Sequence, residues 1–269
     1  MTALHYYIAD PTKNITALVE TPVPAASRPF VASRVMEREP ACEQVGFVYR
    51  GGAGEPCLAM AGGEFCGNAS LSAAALFGEQ AGLRPGETRD MRLTVSGAEE
   101  PVPVTVRKLA EGAFDGAVTL PAPARITEEP LPLNGELLRL PVVWCPGIAH
   151  IMVTKDGLTA AEAEAVIRDW CRLLRAPGLG IMLFDSAAMA LRPLVYIPGA
   201  DTLFWESSCA SGTGALGAYM ALRSGERATL FVREPGGVLR VTAAPGGPPV
   251  LSGAVALTEA RTLLVDISQ

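Results

Sequence analysis

Two cysteines sit in settings that could do chemistry. The first lies in Glu64-Phe65-Cys66-Gly67-Asn68-Ala69-Ser70 and the second in Ser207-Ser208-Cys209-Ala210-Ser211-Gly212-Thr213-Gly214. Each leads into a run of small and apolar residues, SLSAAALFG and ALGAYMAL. Read as helix starts, both stretches present the unsatisfied N–H groups and partial positive charge of a first turn, which suit an anion. The same field favours a thiolate over a thiol. Gly67, Asn68, Ala210, Ser211, Gly212 and Thr213 are then the residues placed to meet a carboxylate, through backbone N–H groups or short polar side chains. If two such starts face one cleft, an α-amino acid held by its carboxylate has its Cα–H between two sulfurs. One thiolate removes that proton and the opposite thiol delivers another to the far face. The enediolate-like charge grows on the carboxylate that the N–H groups already hold. The outcome is stereoinversion, and it accounts for a motif that occurs twice.

Other chemistries fit the residues less well. A thiol hydrolase needs a histidine beside its cysteine; the chain has only His5 and His150, and the second motif would be left without a use. A pyridoxal enzyme needs a Schiff-base lysine, and Lys13, Lys108 and Lys155 stand in no Gly/Ser-rich setting. GGAGEP at 51–56 lacks the Gly-Lys-Ser/Thr ending of a phosphate loop and reads as a hairpin turn. The six cysteines include no C-x-x-C pair, so neither a metal site nor a disulfide framework is expected. Cys42, Cys57, Cys145 and Cys171 are assigned as buried and inert, and Trp144 and Trp170 as core.

The elements that must position the two motifs follow one order twice. Asp10-Pro-Thr-Lys-Asn-Ile-Thr-Ala-Leu-Val leads to an outer helix in PAASRPFVASRVMER, and Pro146 to Val153 leads to a second in TAAEAEAVIRDWCRLLR. The latter has a capping box, Thr159 with Glu162, and an apolar face of Ala163, Val166, Ile167, Trp170 and Leu174. Strand and hairpin texture follows each motif, in TVSGAEEPVPVTVRKL and GAVTLPAP, then in ATLFVREPGGVLRVTAAPGGPPVLSGAVAL. The two inner helices are apolar on all sides, so a sheet must wrap each one. These features predict an α/β (α+β) chain of two similar halves. The N-terminal half spans 1–118, joined by a returning strand at 261–269, and the C-terminal half spans 119–260.

The bulk properties narrow the function class. With 269 residues, 49% hydrophobic and 19% charged, the chain can bury a large core, and its net charge of −6 has no basic patch for nucleic acid or an anionic membrane. No signal peptide or membrane-spanning run is visible, so a cytoplasmic location is expected.

EFCGNA together with SSCASGTGA resembles the paired signatures of the diaminopimelate-epimerase-like, cofactor-independent amino-acid racemases. The resemblance extends to the Asn14 lead-in, to Pro146–Val153 with its histidine, and to the closing VLSGAVALTEARTLL. It implies two pseudo-symmetric halves, each a β-barrel-like sheet around a central helix, with the site between them. It also implies Cys66 and Cys209 as the acid/base pair, no metal or organic cofactor, and a homodimer. The chain departs from the epimerases in two places. Where they carry Glu-Arg-Gly, with an arginine for the distal carboxylate, it has Pro198-Gly199-Ala200-Asp201; where they have GNG followed by arginine, it has GNASLS. An acid at Asp201 and another at Glu206 suit a cationic substrate side chain. GGEFCGNA with WESSC is similar to the histidine racemases of opine-metallophore pathways, so histidine is the substrate expected. Diaminopimelate, with Arg192 as the carboxylate holder, and a non-catalytic amino-acid-binding protein are the alternatives.

The remaining candidate residues keep two readings each. Glu206 orients Cys209 or meets the substrate, behind a wall of Phe204 and Trp205, or it is a favourable charge before a helix. His150 holds substrate or tunes a thiol, or it is a satisfied buried histidine. Asn14 donates to substrate or shapes a turn.

Overall fold

A computed structural model describes residues 1–267 of the chain, which divides into two compact units. The first comprises residues 1–119 together with those from 252 onward, and the second comprises 120–251.

The first unit begins with β1 (Thr2–Asp10), β2 (Thr16–Val19), α1 (Arg28–Arg38), β3 (Gln44–Arg50) and β4 (Pro56–Met60). It continues with α2 (Gly67–Gln80), β5 (Thr88–Val95), β6 (Val102–Ala110) and β7 (Ala113–Thr119). The second unit runs through β8 (Arg125–Leu133), β9 (Glu136–Cys145), β10 (Ile148–Thr154), α3 (Ala160–Leu174), β11 (Leu179–Asp185), β12 (Ala190–Ile197) and β13 (Thr202–Trp205). Then come α4 (Ala210–Ser224), β14 (Ala228–Glu234), β15 (Gly237–Ala243) and β16 (Val250–Leu257), within which the chain re-enters the first unit, and finally β17 (Arg261–Val265).

Strand pairing shows the repeat more sharply than element order does. β1–β2 is antiparallel, β2–β3 parallel, β3–β4 antiparallel, β4–β5 parallel, and β5–β6 and β6–β7 antiparallel. In the second unit β9–β10, β10–β11, β11–β12, β12–β14 and β14–β15 repeat the same senses in the same order. β13 is an extra antiparallel strand on β12. The flanking strand is shared as well: β8 precedes β9 and pairs with it, whereas β17, the last strand of the chain, pairs with β1. In the first unit β16 pairs with β7, and its Ala256 and Leu257 lie opposite Asp10 and Ala9 of β1. Eight strands thereby close into a barrel, which leaves no open edge there.

The helices divide into two kinds by their faces. α2 is buried at every residue from Gly67 to Gly78 and packs on β2, β4, β5, β6 and β7. α4 is buried at Ala210 and from Gly212 to Ala218, and packs on β9, β10, β14 and β15. Polar backbone on such buried helices is satisfied internally, and Ala, Gly and Ser let the sheet approach closely. α1 and α3 instead bury one face each. α3 buries Ala163, Ile167, Trp170 and Cys171, with Val166 and Leu174 partly covered, and its Thr159–Glu162 capping box is formed on both sides. α1 buries Val31, Ala32 and Val35 against a core that includes Leu4, Tyr6, Phe47 and Val265.

The cysteine and tryptophan assignments need two corrections. Cys42, Cys57 and Cys171 are buried, but Cys145 is half-buried at the end of β9. Trp144 is also only partly covered: Arg125 lies 4.3 Å above its ring, and its indole N–H donates to Thr127 Oγ1 at 2.9 Å. Both residues lie at the end of the long strand β9, where Trp144 still packs against the core that α3 covers. Burial nevertheless pushes the thiols of Cys42 and Cys145 up to about 11 and about 12.

Candidate active site

Each unit brings its cysteine to the N-cap of its buried helix. Cys66 has extended backbone (φ −132°, ψ 116°), and its Sγ accepts the N–H of Ala69 at 3.4 Å. Cys209 has nearly the same backbone (φ −124°, ψ 99°), and its Sγ accepts the N–H of Gly212 at 3.4 Å. A sulfur thus takes the place of the usual Ser, Thr or Asp oxygen at a helix start, held where the first-turn N–H groups converge.

Just beyond Cys66, the side chain of Asn68 opens an amide network that ends on the Glu43 carboxylate. Asn68 is buried and its Nδ2 donates to Asn14 Oδ1 at 3.1 Å. Asn14 is buried too; its Oδ1 also accepts from Gln44 Nε2 at 2.7 Å, and its Nδ2 donates to Glu43 Oε2 at 2.6 Å. The loop that delivers Asn14 turns through Thr12 and Lys13, both at positive φ (60° and 64°), with Asp10 accepting from the Lys13 N–H at 2.6 Å. Asn14 therefore follows the turn and carries a side-chain network. Gly67 is the buried first residue of α2, and Ser70 turns its hydroxyl back to the Cys66 carbonyl at 2.7 Å.

Around Cys209 the partners titrate. His150, fully buried on β10, has its Nε2 3.1 Å from Ser211 Oγ, and Ser211 Oγ lies 3.6 Å from Cys209 Sγ. Burial lowers the His150 pKa from 6.5 to about 4, so the ring is neutral. Its Nδ1 has no hydrogen-bond partner among the described residues and faces Gly180, where a Cβ would overlap the ring. A neutral ring with its proton on Nε2 donates to Ser211, which frees the serine hydroxyl to donate to sulfur. Glu206, half-buried, hydrogen-bonds the Cys209 thiol. Glu234 of β14 accepts the Cys209 main-chain N–H at 2.6 Å and the Thr213 hydroxyl. Ala210, Gly212 and Thr213 are buried in the first turn of α4.

These surroundings oppose the helix field at Cys209. Burial raises its pKa well above the usual value, the charges of Glu206 and Glu234 raise it further, and only the Ser211 hydroxyl pulls it down. Resting Cys209 is a thiol, contrary to the thiolate that a helix start alone favours, because desolvation and two carboxylates outweigh the partial charge of one turn. Glu234 itself is pushed up to about 8, chiefly by burial, against the pull of Thr213 and the Cys209 N–H.

Several sequence expectations are corrected here. Phe204 is 62% exposed and Trp205 half-buried, so the pair does not wall off Glu206; β13 is a four-residue strand on β12, with one side of it in solvent. Asp201 stands exposed at the β12–β13 turn, its carboxylate 3.7 Å from Arg168 Nε and 3.4 Å from the Tyr196 hydroxyl, so its charge is directed at α3 and β12. Arg192 lies 4.9 Å above the Trp205 ring. Gln44, Gly180 and Glu234 join the site only through the structure. A lone Gln in the apolar strand QVGFVY was a visible signal; a Glu ahead of Pro-Gly-Gly reads as an ordinary turn, and nothing local marks Glu234 as buried. Among the described residues, no three His, Cys, Asp or Glu groups stand together as a metal site, and no helix is long and apolar enough to cross a membrane.

Comparison with known proteins bears on both units. The family model described as the histidine racemase CntK N-terminal domain matches residues 3–248. The histidine racemase of Staphylococcus aureus (strain Mu50 / ATCC 700699) is 28% identical over 241 residues, covering 87% of this chain and 86% of that protein. The histidine racemase of Fusobacterium nucleatum subsp. nucleatum (strain ATCC 23726 / VPI 4351) is 30% identical over 223 residues, covering 81% of each. In fold, the chain is similar to the Bacillus anthracis phenazine biosynthesis protein of the PhzF family (TM-score 0.74, 11% identity, 98% and 100% of the two chains). It is also similar to a hydroxyproline epimerase from Agrobacterium vitis solved with trans-4-hydroxy-L-proline (TM-score 0.69, 12% identity, 97% and 92%). At such identities these two structures speak to the fold alone.

Proposed function

The chain belongs to the histidine racemase family, an isomerase family, and from that premise we propose that it interconverts L- and D-histidine with Cys66 and Cys209 as its acid and base. The observation that carries the reading is the pair of sulfurs at equivalent N-caps, each accepting the N–H of the third helical residue at 3.4 Å. First-turn N–H groups and the short residues Gly67, Asn68, Ala210, Ser211, Gly212 and Thr213 bind the amino-acid carboxylate. The charge that develops there on Cα deprotonation is then met by dipoles already in place. Cys209, a thiol at rest, is the proton donor when Cys66 acts as base, and the roles exchange for the other enantiomer.

Glu206, half-buried beside the Cys209 thiol, favours a substrate with a cationic or hydrogen-bonding side chain. Both compared relatives bear the name histidine racemase, which supports imidazole as that side chain. His150 is kept neutral by its burial and serves through Ser211. Asn14 acts through Asn68, whose amide it holds. By resemblance, the enzyme needs no metal or organic cofactor, works as a cytoplasmic homodimer and supplies D-histidine to an opine-type metallophore.

Chiral chromatography of purified chain incubated with free L-histidine tests the assignment. D-histidine is expected at equal final amounts. Conversion of LL-diaminopimelate with histidine untouched would assign the epimerase activity instead. Thermal stabilisation by histidine without any inversion would make the chain a binding protein.

A further inference from the structure

The start of α4 lacks something the start of α3 possesses. In α3 the N3 residue, Glu162, reaches back and accepts the N–H of its own N-cap, Thr159, at 2.9 Å. That bond closes the capping box. In α4 the N3 residue is Gly212, where a Cβ would overlap Met182 Sδ and lie 3.2 Å from Cys209 Sγ. No side chain at N3 can close this box. The Cys209 N–H is instead accepted by Glu234 Oε2, at 2.6 Å, from the last residue of β14. Glu234 Oε1 takes the Thr213 hydroxyl one residue beyond N3, and the side chain is 7% exposed.

We propose that Glu234 is a positioning residue for Cys209, closing from β14 the cap that Gly212 cannot close and so fixing the direction of the sulfur. This rests on the reading of Cys209 as one of the two acid/base thiols. The same carboxyl also faces the thiol electrostatically. The titratable groups around Cys209 are Glu206 from its own loop, Glu234 from β14 and, through Ser211, His150 from β10. At the pH where Cys209 ionises, Glu234 is already an anion and resists a second negative charge beside it. A glutamine there keeps both hydrogen bonds, its oxygen accepting from the Cys209 N–H and its amide donating to Thr213, and it removes the charge.

Full-length Glu234→Gln and Glu234→Ala chains test this. Cys209 and Cys66 are labelled with iodoacetamide across pH and quantified by peptide mass spectrometry, beside kcat and KM on L-histidine. In Glu234→Gln the Cys209 labelling midpoint is expected to fall by on the order of one pH unit, roughly tenfold in rate below the midpoint, with Cys66 unmoved. In Glu234→Ala kcat is expected to fall by on the order of a hundredfold with KM little changed, and the glutamine variant to recover much of that loss. Parental kcat in Glu234→Ala overturns the proposal, as does a glutamine variant no faster than the alanine one. If the alanine variant does not fold, Glu234→Asp, one methylene shorter than the bond to the Cys209 N–H requires, takes its place in the kcat comparison. Labelling needs no substrate, so a changed Cys209 labelling rate in Glu234→Ala that Glu234→Gln restores, in a chain that leaves histidine uninverted, would uphold the role of Glu234 and reject histidine racemisation.

Discussion

The starts of α2 and α4 are built alike in backbone and unlike in company. Counted from the N-cap, Asn68 matches Ser211, Ala69 matches Gly212 and Ser70 matches Thr213. At the second helical position one side chain meets Asn14 and the other meets His150. At the fourth, Ser70 turns to the backbone of its own helix while Thr213 turns to Glu234. Repetition of the fold therefore conserves where a sulfur sits. The neighbours differ: the residue two places after Cys66 joins a network of Asn14, Gln44 and Glu43, while Cys209 has two acids and, through Ser211, a histidine beside it.

The comparison breaks first at the cysteines. Cys66→Ser and Cys209→Ser should each lower racemisation by about 10²-fold or more, the range of a lost acid/base group. Full activity in either variant would mean that the two helix starts are not partners.

Next comes the third helical position. Gly212→Ala drives a methyl into Met182 and should destabilise the chain by about 1–3 kcal/mol, as overpacking does. Its counterpart Ala69→Gly should cost only about 0.5–1 kcal/mol, as a glycine in a helix does. Thermal unfolding of the pair reads the difference, and a harmless Gly212→Ala would show that α4 is not pressed against Met182.

Proton linkage sharpens the contrast further. His150 has its folded pKa lowered from 6.5 to about 4, so its share of stability is present above pH 6.5 and lost as pH falls through about 4. Glu234 is raised from 4.5 to about 8, so its share is present below 4.5 and lost as pH rises through about 8. Melting temperature against pH should lose its acid-side slope in His150→Gln and its alkaline-side slope in Glu234→Gln. Asn68→Ala, on the amide side, should leave both slopes in place.

What could be read from sequence was what is written locally. The two cysteine-led helices, the Thr159–Glu162 cap and the turn at 51–56 depend on neighbours within a few residues, and each is present in the structure. The all-apolar character of α2 and α4 likewise forecast a sheet wrapped around each. Partners set by strand pairing were out of reach. Glu234 meets Cys209 only because β14 lies beside α4, and Asp201 turns to Arg168 only because β12 packs on α3. The returning strand expected at 261–269 pairs with β1 as β17, but its equivalence to β8 could not be read, since one ends the chain and the other opens its unit.

The most direct test of the two-thiol account is inversion of pure L-histidine in heavy water, followed by mass spectrometry of both enantiomers during the first turnovers. The account predicts D-histidine carrying a solvent deuteron at Cα while the remaining L-histidine stays unlabelled, since each thiol serves one face. D-histidine that retains its original hydrogen, or deuterium entering both enantiomers alike from the start, would contradict it.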